Sequence, residues 1–463
     1  MSKLLSIIVL VLLSNLSVDI FAQEIQRKPN FIIILADDLG YGDVGFTGST
    51  QIKTPNIDAL ASSGVTFTQG YVSAPVCGPS RAGIMTGRNQ VNFGFDNNPI
   101  VDLPQFDENF VGLPVDERTI TDRLADLGYV NGLIGKWHLG EAEHFHPLKR
   151  GFHEFWGYLG GGHNYFANKP NGKPYPYKIL CNYKEPQPIT YITDDKGDEC
   201  VDFIKRHKDE PFFLYASFNA PHAPMQATED DLKLYAHVKD EKRRTYCAMV
   251  HRLDVNVGRI MDELKEHKLD ENTVVVFFSD NGGPCHHNAS LNAPLRGSKG
   301  ILLEGGIRVP FTMSYPKEIR KGSTFDQPIS SLDLTPTFVA MAGGDVYPKD
   351  KLDGVNIFPH IMGENKDAPH QSMMWRFTIS AGIREGNWKL IRMPDRLPML
   401  YNLDEDIAEQ NNVADDNREL VEQMLKKLGN WDVSCPQVLY LEGNRWRREQ
   451  VDLYDVNYKL TQP

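Results

Sequence analysis

The stretch "KPNFIIILADDLGYGD", residues 28–43, decides how the rest of the chain is read. Phe31 to Leu35 is an unbroken apolar run, the pattern of a strand covered on both faces. Asp37 and Asp38 follow at its carboxyl end, where open α/β sheets keep their ligand sites. The same grammar recurs outward from there. "TPNIDALASSG" predicts a capped helix ending at Gly64, and "TITDRLADLGY" a second helix that feeds the strand "VNGLIGKWHLG". "DECVDFIKRH" is helical and leads to the strand "PFFLYASFNAPHAP". The long helix "YCAMVHRLDVNVGRIMDELKEH" precedes "TVVVFFSDNGG", a buried strand ending in Asp280-Asn281. Strands alternating with helices imply an α/β fold, a large and mostly parallel sheet sandwiched by helices, over residues 28–344. Beyond that the texture changes. "AGIREGNWKLIRM" and "PMLYNLDED" read as short antiparallel strands and "NRELVEQMLKKLGNWD" as a helix, so a smaller α+β domain is expected over 345–463.

Bulk properties narrow the function. Lys3 followed by an apolar run over residues 4–16, with a small-residue site at Ala22, reads as a signal peptide over residues 1–22. The mature chain is therefore expected to be secreted or periplasmic. No later stretch is long and apolar enough for stable membrane insertion. A net charge of −12 argues against a nucleic-acid partner, though a pocket inside an acidic protein can still be locally positive. Six cysteines (77, 181, 200, 247, 285 and 435) are too scattered for a disulfide framework, although Cys181 and Cys200 could pair across a loop. With no CxxC, a structural zinc site is not expected.

Two carboxylates end one strand, and Asp280 with Asn281 ends another. Four oxygen donors converging from strand ends suit a hard cation, calcium rather than zinc. Single basic groups follow the apolar strands: Lys136 and His138 in "GKWHLG", His222 in "NAPHAP" and Lys299 in "LRGSKG". Each alone is an ordinary structural residue. Together with Arg81 and a cation site they describe a pocket for a tetrahedral anion and its transition state. Cys77, in "CGPSRAGIMTGR", read by itself could be a buried thiol, a half-cystine, a ligand or a nucleophile.

That last segment matches C-x-P-S-R-x-x-x-x-T-G-R and resembles the signature of the formylglycine-dependent sulfatases of the alkaline-phosphatase-like superfamily. "DDLGYGD", "GKWHLG", "NAPHAP", "FSDNGG", "RGSKG" and "EGGIRVP" resemble that family's motifs in its order, and "LYNLDEDIAEQNNVA" its C-terminal segment. The resemblance implies that a maturation enzyme oxidises Cys77 to Cα-formylglycine. One hydroxyl of the aldehyde hydrate then attacks sulfur, and the other later expels sulfate. It further implies one Ca²⁺ held by Asp37, Asp38, Asp280, Asn281 and the residue at 77. Arg81 would orient the hydrate, and Lys136 and Lys299 would hold sulfate oxygens. His138 would take the proton that regenerates the aldehyde, and His222 would protonate the leaving oxygen.

The substrate is less constrained. "GFHEFWGYLGGGHNYF" (151–166) is aromatic and Gly-rich, so His163 and Asn164 are candidates to contact a sugar. "MMWRF" (373–377) suggests Trp375 and Arg376 at the pocket rim. A secreted setting and these loops favour a sulfated oligo- or polysaccharide as substrate. The alternatives are a phosphonate or phosphate ester hydrolase of the same superfamily, or a catalytically silent protein that binds sulfated glycans.

Overall fold

A computed structural model describes residues 27–99, 107–168, 173, 178–185, 189–441 and 444–459. The proposed signal peptide lies outside these residues. Strands of the main sheet are β1 (Asn30–Ala36), β2 (Val65–Phe67), β4 (Val130–Lys136), β5 (Glu154–Tyr158), β6 (Leu180–Cys181), β7 (Phe212–Ser217), β8 (Thr273–Ser279), β9 (Phe311–Ser314) and β10 (Ser323–Phe325). Two short strands, β3 (Gly70–Tyr71) and β11 (Ile329–Ser330), pair apart from it. Among the described residues the main sheet runs β10-β2-β9-β8-β1-β7-β4-β5-β6. Its centre, β8-β1-β7-β4-β5, is parallel, whereas β9 and β6 run antiparallel to their neighbours. The sheet is thus mixed and mostly parallel, as the alternating pattern implied.

The apolar run of β1 is continuous because both faces are covered. Phe31, Ile33 and Leu35 enter one core, and Ile32, Ile34 and Ala36 the other. The second core is roofed by the helices Ile192–His207 and Glu241–Glu266. The first is closed by Cys77–Thr86 and Leu334–Met341, where Phe338 stacks on Phe31 at 4.4 Å. Each fully buried aliphatic side chain contributes roughly 1.5–3 kcal/mol, and truncating one to Ala costs about 2–5 kcal/mol.

Beyond Met341 the chain builds a four-stranded antiparallel sheet, β12 (Ser372–Phe377), β13 (Ser380–Glu385), β14 (Trp388–Arg392) and β15 (Met399–Asn402). One face packs under the helix Arg418–Ser434 through Ala381, Ile383, Leu390, Met424 and Leu428. The other, with Trp375, Phe377, Ile391 and Tyr401, joins the core on the Phe31 face of the main sheet. A final helix, Asn444–Lys459, was not foreseen. Cys181 and Cys200 are both free thiols, so the pairing left open by the sequence is not formed. Cys200 lies on the buried face of its helix, while Cys181 is exposed on the edge strand β6.

Candidate active site

The chemistry-bearing residues gather at the carboxyl ends of four neighbouring parallel strands. Asp37 and Asp38 follow β1, Asp280 and Asn281 follow β8, Lys136 ends β4, and His222 lies in the loop after β7. Register explains the convergence: Leu35 and Gly135 both lie level with Ser217. Gly135 makes that approach possible, since a Cβ there would sit 1.8 Å from the Ser217 carbonyl oxygen. Asp38 (φ 67°) and His138 (φ 60°) both occupy the left-handed region, a local strain that clusters at functional sites.

Cys77 opens the helix Cys77–Thr86, every residue of which is buried. Helix N-termini favour negative charge, and Cys77 is placed where that partial positive charge is felt. The Arg81 guanidinium is held from several sides. Its Nε donates to Asp280 Oδ2 (3.0 Å), and its Nη1 to Ser217 Oγ (2.6 Å) and the Lys136 carbonyl (3.2 Å). Lys136 Nζ donates to Asp37 Oδ2 (2.6 Å) and Lys299 Nζ to Asp38 Oδ1 (2.7 Å), with Cys77 Sγ 4.0 Å from Lys299 Nζ. Nδ1 of His222 donates to the Ala223 carbonyl (2.6 Å), which turns Nε2 toward Asp38 Oδ2 at 3.6 Å.

The electrostatics follow from this crowding. Burial alone would raise the Asp37 carboxyl, but Lys136, His222, Arg81 and Lys299 outweigh it and hold Asp37 well below the usual carboxylate range. Burial and the Asp37 charge push Asp280 up to about 8 against the pull of Arg81 and Lys136. Burial would raise the Cys77 thiol as well, yet Lys136 and Lys299 bring it below its ordinary value. The pocket therefore favours an anion at position 77. Burial, with Lys136, Arg81 and Lys299 adding to it, keeps His138 neutral well below its ordinary pKa, so the ring can accept a proton.

The donor set fits a hard cation. Ligand atoms of Asp37, Cys77 and Asp280 lie within 4.8 Å of one another, as do those of Asp37, Asp38 and His222. Asp37 Oδ1 and the Asn281 side-chain carbonyl are buried and accept no hydrogen bond among the described residues, while the Asn281 amide donates to Asp38 Oδ1 (2.7 Å). Buried oxygens without donors are costly unless a cation satisfies them.

A sequence profile of the family described as Sulfatase matches residues 29–344. The chain belongs to the sulfatase family. A second profile, N-sulphoglucosamine sulphohydrolase, C-terminal, matches residues 298–433. The solved structure of Ps i-CgsB in complex with k-i-k-neocarrahexaose superposes with a TM-score of 0.84 at 37% identity, covering 94% of this sulfatase and 98% of that chain. The N-acetylgalactosamine-6-sulfatase of Homo sapiens is 34% identical over 364 residues, 75% of this chain and 69% of the human protein. Its counterpart in Canis lupus familiaris is 34% identical over 354 residues, 73% of this chain and 66% of the dog protein. The chain thus spans about two thirds of the length of these curated relatives.

The structure of this sulfatase brings together Asp37, Asp38, Cys77, Arg81, Lys136, His138, His222, Asp280, Asn281 and Lys299. It corrects the expected rim. Trp375 is 1% exposed, donates its indole N–H to the Val72 carbonyl (2.9 Å) and leans on Tyr71, so it offers no face to a ligand. Arg376 is bound by Asp96 (2.7 Å) and Asp432 (3.0 Å) and serves packing instead. The Gly-rich loop does reach the site: a Cβ on Gly161 would lie 2.6 Å from His138 Nε2, and one on Gly162 3.7 Å from His222 Cε1. His163 itself turns inward against Tyr158 at 5.1 Å, while Asn164 stays partly exposed. Sequence reasoning missed Asn98, whose Oδ1 accepts from Gly78 N–H (2.9 Å) beside Cys77. It also missed Lys196, fully buried behind the pocket and donating to Asn219 Oδ1 (2.6 Å). A signal for Lys196 existed, because Ile192, Cys200 and Ile204 flank it at helical spacing on a buried face.

Proposed function

We propose that this protein hydrolyses sulfate esters of a sulfated carbohydrate, with Cys77 matured to formylglycine as the nucleophile-bearing residue. The observation that carries the reading is Cys77 itself, on a buried helix N-terminus, facing Lys299 and the Arg81–Lys136 pair beside two unpartnered oxygens. Asp37, Asp38, Asp280 and Asn281 would hold one Ca²⁺. When bound, it supplies Lewis-acid stabilisation of charge on a sulfate oxygen. Arg81, fixed by Asp280 and Ser217, orients the residue at 77. Lys136 and Lys299 already contact the acidic residues around Cys77 and extend donors to sulfate oxygens. Neutral His138 accepts a proton from the hydrate, and His222, whose Nε2 faces the site, donates one to the leaving sugar oxygen. Asn164, partly exposed two residues beyond Gly162, would be the candidate to contact the sugar.

The relative bound to k-i-k-neocarrahexaose, 37% identical with 94% of this chain covered, makes that oligosaccharide the first substrate to try. The signal peptide read over residues 1–22 would direct the protein outside the cytoplasm, to substrates too large to enter. Sulfate release is measured from that hexasaccharide and from 4-nitrophenyl sulfate, beside phosphate release from 4-nitrophenyl phosphate. Sulfate release together with an aldehyde at residue 77 by peptide mass spectrometry is the expected result. Faster phosphate than sulfate release would replace the reading with a phosphoester hydrolase. Tight saccharide binding with an unmodified thiol and no turnover would make the protein a glycan binder.

A further inference from the structure

The unforeseen helix Asn444–Lys459 reaches the catalytic mouth. A cavity of about 230 Å³ has Asp38, His222 and Lys299 on one side and Trp446, Glu449 and Leu453 on the other. These last three lie on one face of the helix, at spacings of three and four residues. The helix is firmly seated. Tyr454 Oη accepts from the Leu302 N–H (2.7 Å) and donates to Ser380 Oγ (3.2 Å), bridging the main core and the second sheet. Across the cavity mouth, His287 Nε2 meets Glu449 Oε1 at 2.5 Å.

Trp446 is the residue with most to offer a ligand. Its six-membered ring rests on Gly300, the neighbour of Lys299, where a Cβ would come within 3.1 Å of Cζ2. A side chain at 300 would press on the indole and force it to shift by a few tenths of an ångström. The indole N–H is buried and has no hydrogen-bond partner among the described residues, which is unusual for a tryptophan. An apolar face that lines the cavity, beside the histidine on the leaving-group side, matches the C–H face of a sugar ring.

We propose that Trp446 is a specificity-determining residue, the wall against which the sugar carrying the scissile sulfate packs. This rests on the reading of the site as a carbohydrate sulfatase and adds the element that selects a sugar over a small aryl group.

The test compares wild type, Trp446→Phe and Trp446→Ala, each checked for an unaltered unfolding temperature. The reading is the ratio of kcat/KM for k-i-k-neocarrahexaose to kcat/KM for 4-nitrophenyl sulfate. Trp446→Ala should lower that ratio about tenfold or more, chiefly through KM for the saccharide, and Trp446→Phe should fall between. Calorimetric binding of the hexasaccharide in a Cys77→Ala background supplies an arm independent of turnover. Weaker binding on adding Trp446→Ala supports the proposal, even if wild type releases no sulfate and the sulfatase reading itself fails. An unchanged ratio and equal binding overturn it, even where turnover shows that the enzyme is a carbohydrate sulfatase.

Discussion

The protein buries two clusters of opposite charges, and they are built to different ends. One surrounds Cys77 and sets Asp37, Asp38 and Asp280 against Arg81, Lys136 and Lys299. The other ties the two sheets together. In it, Lys389 of β14 meets Glu304 (2.8 Å) and Glu409 (2.9 Å). Tyr71 Oη donates to Glu304 Oε2 (2.6 Å), Arg308 lies 3.3 Å from the same oxygen, and Glu409 Oε2 accepts the Glu304 N–H (2.6 Å). Most of these side chains are buried, the first cluster meeting a cavity at Asp38 and Lys299. In the second cluster both Glu304 oxygens and Glu409 Oε2 accept hydrogen bonds and Glu409 Oε1 faces the Lys389 ammonium as an ion pair (2.9 Å), whereas among the described residues the first leaves Asp37 Oδ1 and Asn281 Oδ1 with neither a hydrogen-bond donor nor a close ion pair. A closed cluster holds the protein together; an open one waits for something to bind. Since desolvated ions cost several kcal/mol each, neither arrangement would persist without one of these returns.

The sharpest way to break the contrast is to act on Cys77. Cys77→Ala should lower sulfate release on the order of 10³-fold or more while the unfolding temperature holds, because a lost nucleophile is not replaced by its surroundings. Retained turnover would detach the open cluster from the chemistry. In the closed cluster the effects should reverse. Lys389→Met strands two buried carboxyls and should cost about 3–5 kcal/mol by denaturant unfolding, with little change in kcat of the folded fraction. A kinetic defect that exceeds the stability loss would show that this cluster also serves the reaction.

Calcium sharpens the comparison further. Removing it with a chelator should lower the unfolding temperature and restoring it at a hundredfold excess over Kd should return ~2.7 kcal/mol, with Asn281→Ala losing most of that response. A thermal transition indifferent to chelator and calcium would refute the cation site. The smallest effect expected is a pH slope. Burial and the Glu304 charge push Glu409 up to about 7 from an ordinary 4.5. A raised carboxyl keeps its proton in the folded protein while the unfolded chain loses it, so stability should fall as pH rises from about 4.5 to 7, by less than ~1.4 kcal/mol per pH unit. Glu409→Gln should flatten that slope in unfolding curves taken across the window; a parallel slope would place the titration elsewhere.

Much of this was legible in the sequence because parallel strands announce themselves. β1, β7 and β8 are continuous apolar runs, and the residues just beyond them need only the fold's handedness to meet. Cys77 and its neighbours were legible by motif rather than by periodicity. What failed depended on distant partners. Trp375 and Arg376 share a strand with outward-facing residues, but whether that sheet has a second covered face is decided by residues some 300 positions away, such as Val72 and Asp96. Cys200 pairs with nothing because its helix face is core, which a count of cysteines cannot reveal. The last helix hides its role in a charge-rich stretch, "NRWRREQVDLYDVNYK", whose one tryptophan acquires meaning only against Gly300.

The complete burial of the helix Cys77–Thr86 also sets an order of events in the life of the molecule. On the proposed reading Cys77 has to be oxidised, yet once the sheet has closed, no second protein can grip ten residues that lie wholly inside. Folding therefore shuts the door on maturation. On that reading each newly made chain would face a race between collapse and oxidation, and a chain that collapsed first would be well folded and idle. The active fraction of a preparation would then record the tempo of synthesis rather than the quality of the fold.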